Sequence, residues 1–232
     1  MKPLVKKLII GVAVLAIGAV AGPWVYINLI KEDAPEALKL EPSAATTIVE
    51  ETVESTVQAS AVDGTWAIAT DSIVGYRVKE VIVAQSTEGV GRTSAVQGTL
   101  NIAGEQVTEA QFSVDMTTLK SDSSRRDKQV NTRILDTATY PTATFTLKQP
   151  ITLTPEALAG SDLTTQATGT LTLRGVTKDI ELTLIARLAN DVIEVNGSIE
   201  IIFADWSIPD PSISAIVVED RGQLEFLLRF TR

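Results

Sequence analysis

From residue 63 onward apolar and polar positions alternate with a period of two, the mark of strands with one buried face. Residues 65–70 and 73–83 carry Trp66, Ile68, Tyr76, Val78, Val81 and Val83. Residues 87–91 contain two glycines and read as a turn before a strand over 95–103, on which Val96, Leu100 and Ile102 share a face. Phe112, Val114 and Met116 follow on the next strand, and Phe145 and Leu147 on the one after. The clearest files come last. Leu171 and Leu173 alternate with threonines; Ile180, Leu182, Leu184, Ala186 and Leu188 form a long file; Asn190-Asp191 is a hairpin signal. Ile193, Val195, Gly197, Ile199, Ile201 and Phe203 make the next file, and Leu224, Phe226, Leu228 and Phe230 the last. Eight or so strands joined by short turns predict an all-β barrel or sandwich, and periodicity alone leaves both open. A strongly patterned final strand fits closure against the first, which removes exposed edges.

One segment breaks the alternation. Over residues 124–135 Val130 and Ile134 stand four apart among charged residues, which predicts a short helix. Ser121, Asp122 or Ser123 would cap its start, and Tyr140-Pro141 ends the excursion. Between residues 155 and 159 a helical turn is expected, with Pro155 at its first position.

The N-terminal part is built differently. Lys2, Lys6 and Lys7 precede an uncharged apolar run over residues 8–30. As a helix it extends roughly 34 Å, enough to cross a hydrocarbon core of about 30 Å. The lysines place the N-terminus in the cytoplasm, and Trp24 and Tyr26 fall near the outer interface. The run reads as an uncleaved signal anchor. Its rival is a signal peptide cut after Ala19-Val20-Ala21, but the run continues for several apolar residues beyond that site. Residues 31–61 are acidic, rich in Ala, Thr, Glu and Pro and without a sustained period, and read as a flexible tether. The expected organisation is a cytoplasmic stub and anchor over 1–30, a linker over 31–61, and an extracytoplasmic barrel domain over 62–232.

Composition removes most catalytic chemistry. Among 232 residues there is no cysteine and no histidine. Disulfides, thiol nucleophiles, Ser-His-Asp triads and nearly all zinc or haem ligation are thereby excluded. A net charge of −9 leaves no positive field for nucleic acid. Gly89-x-Gly91 lacks the rest of a dinucleotide fingerprint and reads as a hairpin turn. Asn196-Gly197-Ser198 matches a glycosylation sequon but falls within a strand. Asp122, Asp127 and Asp136 read as helix caps and surface pairs rather than metal ligands. No nucleophile lies beside a base, so no enzyme is expected.

Three separated segments carry a resemblance. Arg126 to Thr146 (R-D-K-x(8)-D-T-A-x-Y-P-x-A-T-F-T), Gly169 to Lys178 (GTLTLRGVTK) and Ile199 to Ile208 (IEIIFADWSI) are similar, in that order, to recurrent stretches of the YceI-like family of polyisoprenoid-binding, lipocalin-like proteins. The resemblance spans roughly residues 62–232 and implies an eight-stranded antiparallel lipocalin-like barrel with one short helix inserted between strands. It also implies a lipid ligand, an isoprenoid lipid or isoprenoid quinone, with no other cofactor. The barrel lining expected from the inward files is Phe112, Val114, Met116, Phe145, Leu147, Leu171, Leu173, Leu182, Leu184, Ile199, Ile201, Phe203, Phe226 and Leu228. Arg125, Arg126 and Lys128 are candidates to meet an anionic head group, and Trp206 is either a lid or plain core. Small positions (Ala143, Ala186, Gly197) permit a cavity. The alternative is a side-chain-filled barrel acting as an interaction module of the cell envelope. No oligomeric state follows from the pattern.

Overall fold

The computed structural model describes residues 34–41, 62–82, 85–213 and 216–232. The expected anchor over 8–30 and most of the expected tether lie outside them. Among the described residues no helix is long and apolar enough to cross a membrane.

Among the described residues thirteen strands form one antiparallel sheet. In chain order they are β1 (Gly64–Ile68), β2 (Ile73–Ile82), β3 (Gln85–Thr93), β4 (Val96–Ala103), β5 (Gln106–Asp115), β6 (Lys120–Ser121), β7 (Thr142–Leu147), β8 (Ile151–Thr152), β9 (Leu163–Leu173), β10 (Val176–Ala189), β11 (Val192–Ile202), β12 (Ile216–Val218) and β13 (Arg221–Thr231). The order β1-β4-β5-β7-β9-β10-β11-β13 closes on itself, because Ile68 and Ala67 pair with Phe230 and Thr231. The ring has eight members, and closure by the last strand leaves it no free edge. A barrel, not a sandwich, is the outcome.

β1 and β2 are halves of one bent strand that pairs with β13 along both halves. At the bend the Ser72 hydroxyl stands in for a ladder partner. It accepts from the Arg229 N–H at 2.9 Å and donates to the Arg229 carbonyl at 3.1 Å, with no exposed surface. Ser72→Ala strands that N–H, and should cost about 1–3 kcal/mol in urea unfolding. An effect within error would mean that the bend is held by the neighbouring ladder alone.

Residues 87–91 are not a turn but the middle of β3, paired with β2 from Val74↔Thr93 to Ile82↔Gln85. Gly89 and Gly91 mimic a turn signal, yet their function is to leave room. A Cβ on Gly91 would sit 2.3 Å from the Tyr76 ring, and one on Gly89 3.1 Å from Arg126 Nε.

The predicted helix is α1 (Ser124–Gln129), continued by a π turn over Val130–Ile134. Of the three candidate caps Ser123 performs the task, its hydroxyl accepting from the Arg126 N–H. Asp136 holds the exit in a left-handed conformation (φ 49°), and its carbonyl accepts from the N–H groups of Thr139 and Tyr140. Asn190 and Asp191 both take positive φ, the two-residue hairpin turn their sequence asks for. The helical turn at Pro155 is α2 (Pro155–Leu158), capped by Thr154.

The barrel has two unlike ends. One is closed by Leu158 from α2 and by Val62, whose carbonyl accepts from the Trp66 indole N–H at 2.9 Å. The other carries α1, between β5 and β7, and the 203–220 segment, between β11 and β13. Here Phe203, Trp206 and Ile208 bury against Leu171, Leu173 and Ile201. The helix end and this segment are clasped by Arg133, which donates to the carbonyls of Asp210 and Pro211, each at 2.8 Å.

Residues 34–41, inside the stretch expected to be tether, lie across the outside of the barrel. The carbonyl of Pro35 accepts from Arg77 at 2.7 Å and that of Glu36 from Arg92. The Leu38 carbonyl accepts from Asn196 at 3.0 Å, and that of Glu41 from Arg187 at 2.7 Å. These donors come from β2, β3, β11 and β10. Beneath the segment Glu225 of β13 is only 4% exposed and binds both Arg77 and Arg92. Crossing five strands needs roughly 19 Å at about 4.8 Å per gap. An extended chain from Pro35 to Glu41 reaches roughly 20 Å.

Candidate ligand-binding cavity

A single continuous cavity of about 830 Å³ runs through the barrel. All fourteen residues expected to line it do so: Phe112, Val114, Met116, Phe145, Leu147, Leu171, Leu173, Leu182, Leu184, Ile199, Ile201, Phe203, Phe226 and Leu228. They reach one surface because alternate residues of every strand point inward.

The lumen is hollow for a reason visible along the wall. Aromatic rings that would otherwise project into the centre lie flat on glycines of neighbouring strands. Phe226 lies over Gly197, where a Cβ would meet the ring at 2.6 Å, and Phe145 over Gly169, where the distance would be 2.3 Å. Phe112 and Tyr76 lie in the same way over Gly98 and Gly91. The glycines are thus part of the cavity's design, taking rings that an alanine would push inward.

Most polar side chains on the wall gather at the helix end, among them Tyr76, Glu80, Arg125, Arg126 and Gln129. Glu80, 4% exposed, binds Arg126 Nη2 at 2.8 Å. Arg126 also pairs with Asp122. Burial alone would lower the guanidinium's pKa, but the Glu80 and Asp122 carboxylates outweigh it and hold the group firmly charged. Burial pushes the Tyr76 phenol upward, so it stays neutral.

The four residues proposed for the mouth therefore separate. Arg125 is exposed and lines the cavity. Arg126 lines it but its charge is already paired with two carboxylates. Lys128 is exposed and off the wall. Trp206 is not a lid: it is 4% exposed, packed with Phe203 and Ile208 against Leu171, Leu173 and Ile201, with Lys178 5.7 Å from its ring centre, and does not border the cavity. The expected lining left out the face of β4 that carries Val96, Leu100 and Ile102, and the whole inner face of β2 (Val74, Tyr76, Val78, Glu80, Ile82). On β2 the two-residue period from Val74 was the available signal, but Glu80 falls in the inward register and masks it.

Asp122 and Asp127 act as surface pair and cap, Asp127 accepting from the N–H and hydroxyl of Ser121. Among the described residues no cluster of acidic side chains could hold a metal ion. The Asn196 amide of the sequon donates to the carbonyls of Leu38 and Phe226.

The fold is shared with solved structures. A polyisoprenoid-binding domain from Saccharophagus degradans, described as implicated in plant cell wall breakdown, superposes with a TM-score of 0.58 at 22% identity, covering 72% of this chain and 98% of that one. BcnA from Burkholderia cenocepacia superposes with a TM-score of 0.52 at 18% identity, covering 67% and 95%. At these identities the likeness speaks for the fold alone. No curated protein matches the chain. Residues 46–230 match the family described as the YceI-like domain, a match that begins inside the stretch expected to be linker. With the three sequence segments, the closed barrel and a match over most of its length, the chain belongs to the YceI-like family.

Proposed function

We propose that this protein sequesters a polyisoprenoid or similar long-chain amphiphile in its barrel, on the outer side of a membrane in which residues 8–30 anchor it. The observation that carries the reading is the cavity: about 830 Å³, continuous, and walled almost throughout by hydrocarbon. Water gains little there, whereas each chain methylene taken out of water contributes about 0.8 kcal/mol. The similar domain from S. degradans, described as polyisoprenoid-binding, points the same way. The rival reading, an envelope interaction module, needs a lumen filled by side chains, and this lumen is not filled.

The helix end narrows the ligand's polar group. Glu80 and Asp122 already satisfy Arg126, which leaves Arg125 as the wall cation without an ion partner among the described residues. Such a mouth favours an uncharged polar head, an isoprenoid alcohol or quinone, over a diphosphate, which would have to compete with two carboxylates.

Native mass spectrometry of the purified full chain, with extraction and identification of bound lipid, tests the reading. One long-chain lipid per barrel is expected, and stripped protein should rebind polyprenol more tightly than polyprenyl diphosphate. Protein that carries no such lipid and takes up neither would end the proposal.

A further inference from the structure

The segment over residues 34–41 does more than cover Glu225. It decides where the preceding chain arrives. Ala34 and Pro35 share a small recess with Lys120, Ser121 and Asp122, the residues that lead into α1. Asp122 in turn pairs with Arg126 on the cavity wall. The far end of the segment, at Glu41, is held by Arg187 near the closed end, where Arg187 also binds Asp162 at 2.8 Å. The chain therefore reaches the barrel at the helix end and is led toward the closed end, where β1 begins.

That path changes the length of the leash. A free stretch over residues 31–61 would leave the barrel roughly 30 Å from an anchor and able to turn in any direction. With residues 34–41 bound, only Lys31, Glu32 and Asp33 separate the apolar run from the barrel. Three extended residues reach roughly 10 Å. The bound segment lies outside residues 46–230, which match the family.

The surface at that end suits what such a leash would bring to it. Val217 is 63% exposed and Val81 39%, and the two are directly paired across β12 and β2. Their neighbours Ile82, Ile216 and Val218 line the cavity. The outward valines thus continue the apolar wall over the rim. Arg125 and Lys128 stand exposed on α1 at the same end.

We propose that the helix end of the barrel rests against the lipid bilayer, Val81 and Val217 touching the acyl region and Arg125 and Lys128 the phosphates, held there by residues 34–41. This rests on the lipid-binding reading and adds to it that the cavity loads from the membrane it faces. Apolar side chains dip into the interface while cations meet anionic head groups.

The absence of cysteine makes the test clean, since any introduced thiol is unique. The full chain is reconstituted in phosphatidylcholine–phosphatidylglycerol vesicles containing brominated lipid, with an environment-sensitive dye on Val217→Cys or, at the closed end, on Asp191→Cys. Blue-shifted and quenched emission is expected at position 217 and neither at 191. A flexible Gly/Ser insertion of about twelve residues between Asp33 and Ala34 leaves every contact of residues 34–41 intact and should bring position 217 down to the level of 191. Equal quenching at the two positions, quenching at 217 that the insertion does not reduce, or a chain that does not partition with vesicles would overturn the proposal. Lipid content is measured on the same samples. Lipid-loaded protein with an unquenched position 217 defeats this inference and spares the carrier reading; a quenched rim on lipid-free protein does the opposite.

Discussion

Replacing Phe230 by alanine should lower the unfolding free energy by about 3–5 kcal/mol, the largest loss expected from any single truncation in this chain. Phe230 has no exposed surface. It stands where the ring of strands closes, opposite Ile193 of β11 on one side and Ile68 of β1 on the other. Its ring meets Phe112 of β5 at 5.6 Å, tilted by 52°, so it joins strands across the closed end as well as along it. A closed barrel cannot collapse into the space left behind, which places the cost toward the upper end of the range for such changes. Leu184, half-buried and facing the open lumen, makes the contrast: it has already forgone packing on one side, and its truncation should cost less. Urea unfolding of the two variants measures the difference. If Leu184→Ala were the more damaging, the packed end and the open lumen would have been assigned the wrong way round.

Much of this could be read from the residues, and the gaps have physical causes. A two-residue period reports which face of a strand is buried, so the fourteen wall positions taken from β5, β7, β9, β10, β11 and β13 follow from alternation, with Met116 and Phe203 continuing two of those files into short helical turns. Periodicity does not report what fills the interior, and it could not separate barrel from sandwich; pairing between Ile68 and Phe230 is a long-range event. On β2, Tyr76 and Val78 face inward while Val81 faces out, and an inward Glu80 conceals the register. Its partner Arg126 lies 46 residues later, beyond the reach of any local pattern. Gly89 and Gly91 misled because glycine signals a turn and a close approach equally well. The strap over residues 34–41 was invisible for another reason. The hydrogen bonds that hold it are accepted by its carbonyls, which every residue carries, so its composition carries no trace of them.

Gly197→Val tests why the barrel is hollow, and its effect on ligand capacity should exceed its effect on stability. The new side chain begins with a Cβ that would lie 2.6 Å from Phe226 Cζ and 3.2 Å from two further ring atoms. Neither partner can retreat through the sheet, because Gly197 and Phe226 are directly paired between β11 and β13. The ring must swing into the lumen, where there is room. Overpacking of this kind costs about 1–3 kcal/mol, leaving a folded barrel with a ring standing in the ligand's path. Lipid occupancy by native mass spectrometry should fall by about tenfold or more, since 1.4 kcal/mol of lost chain contact already accounts for a factor of ten. Pairing the change with Phe226→Ala removes the displaced ring and should restore uptake, a non-additivity expected only of neighbours that share one space. Should Gly197→Val bind lipid as the parent does, rings resting on glycines would not be what keeps the channel open. A double variant as empty as the single one would instead place the loss in the wall of β11 itself.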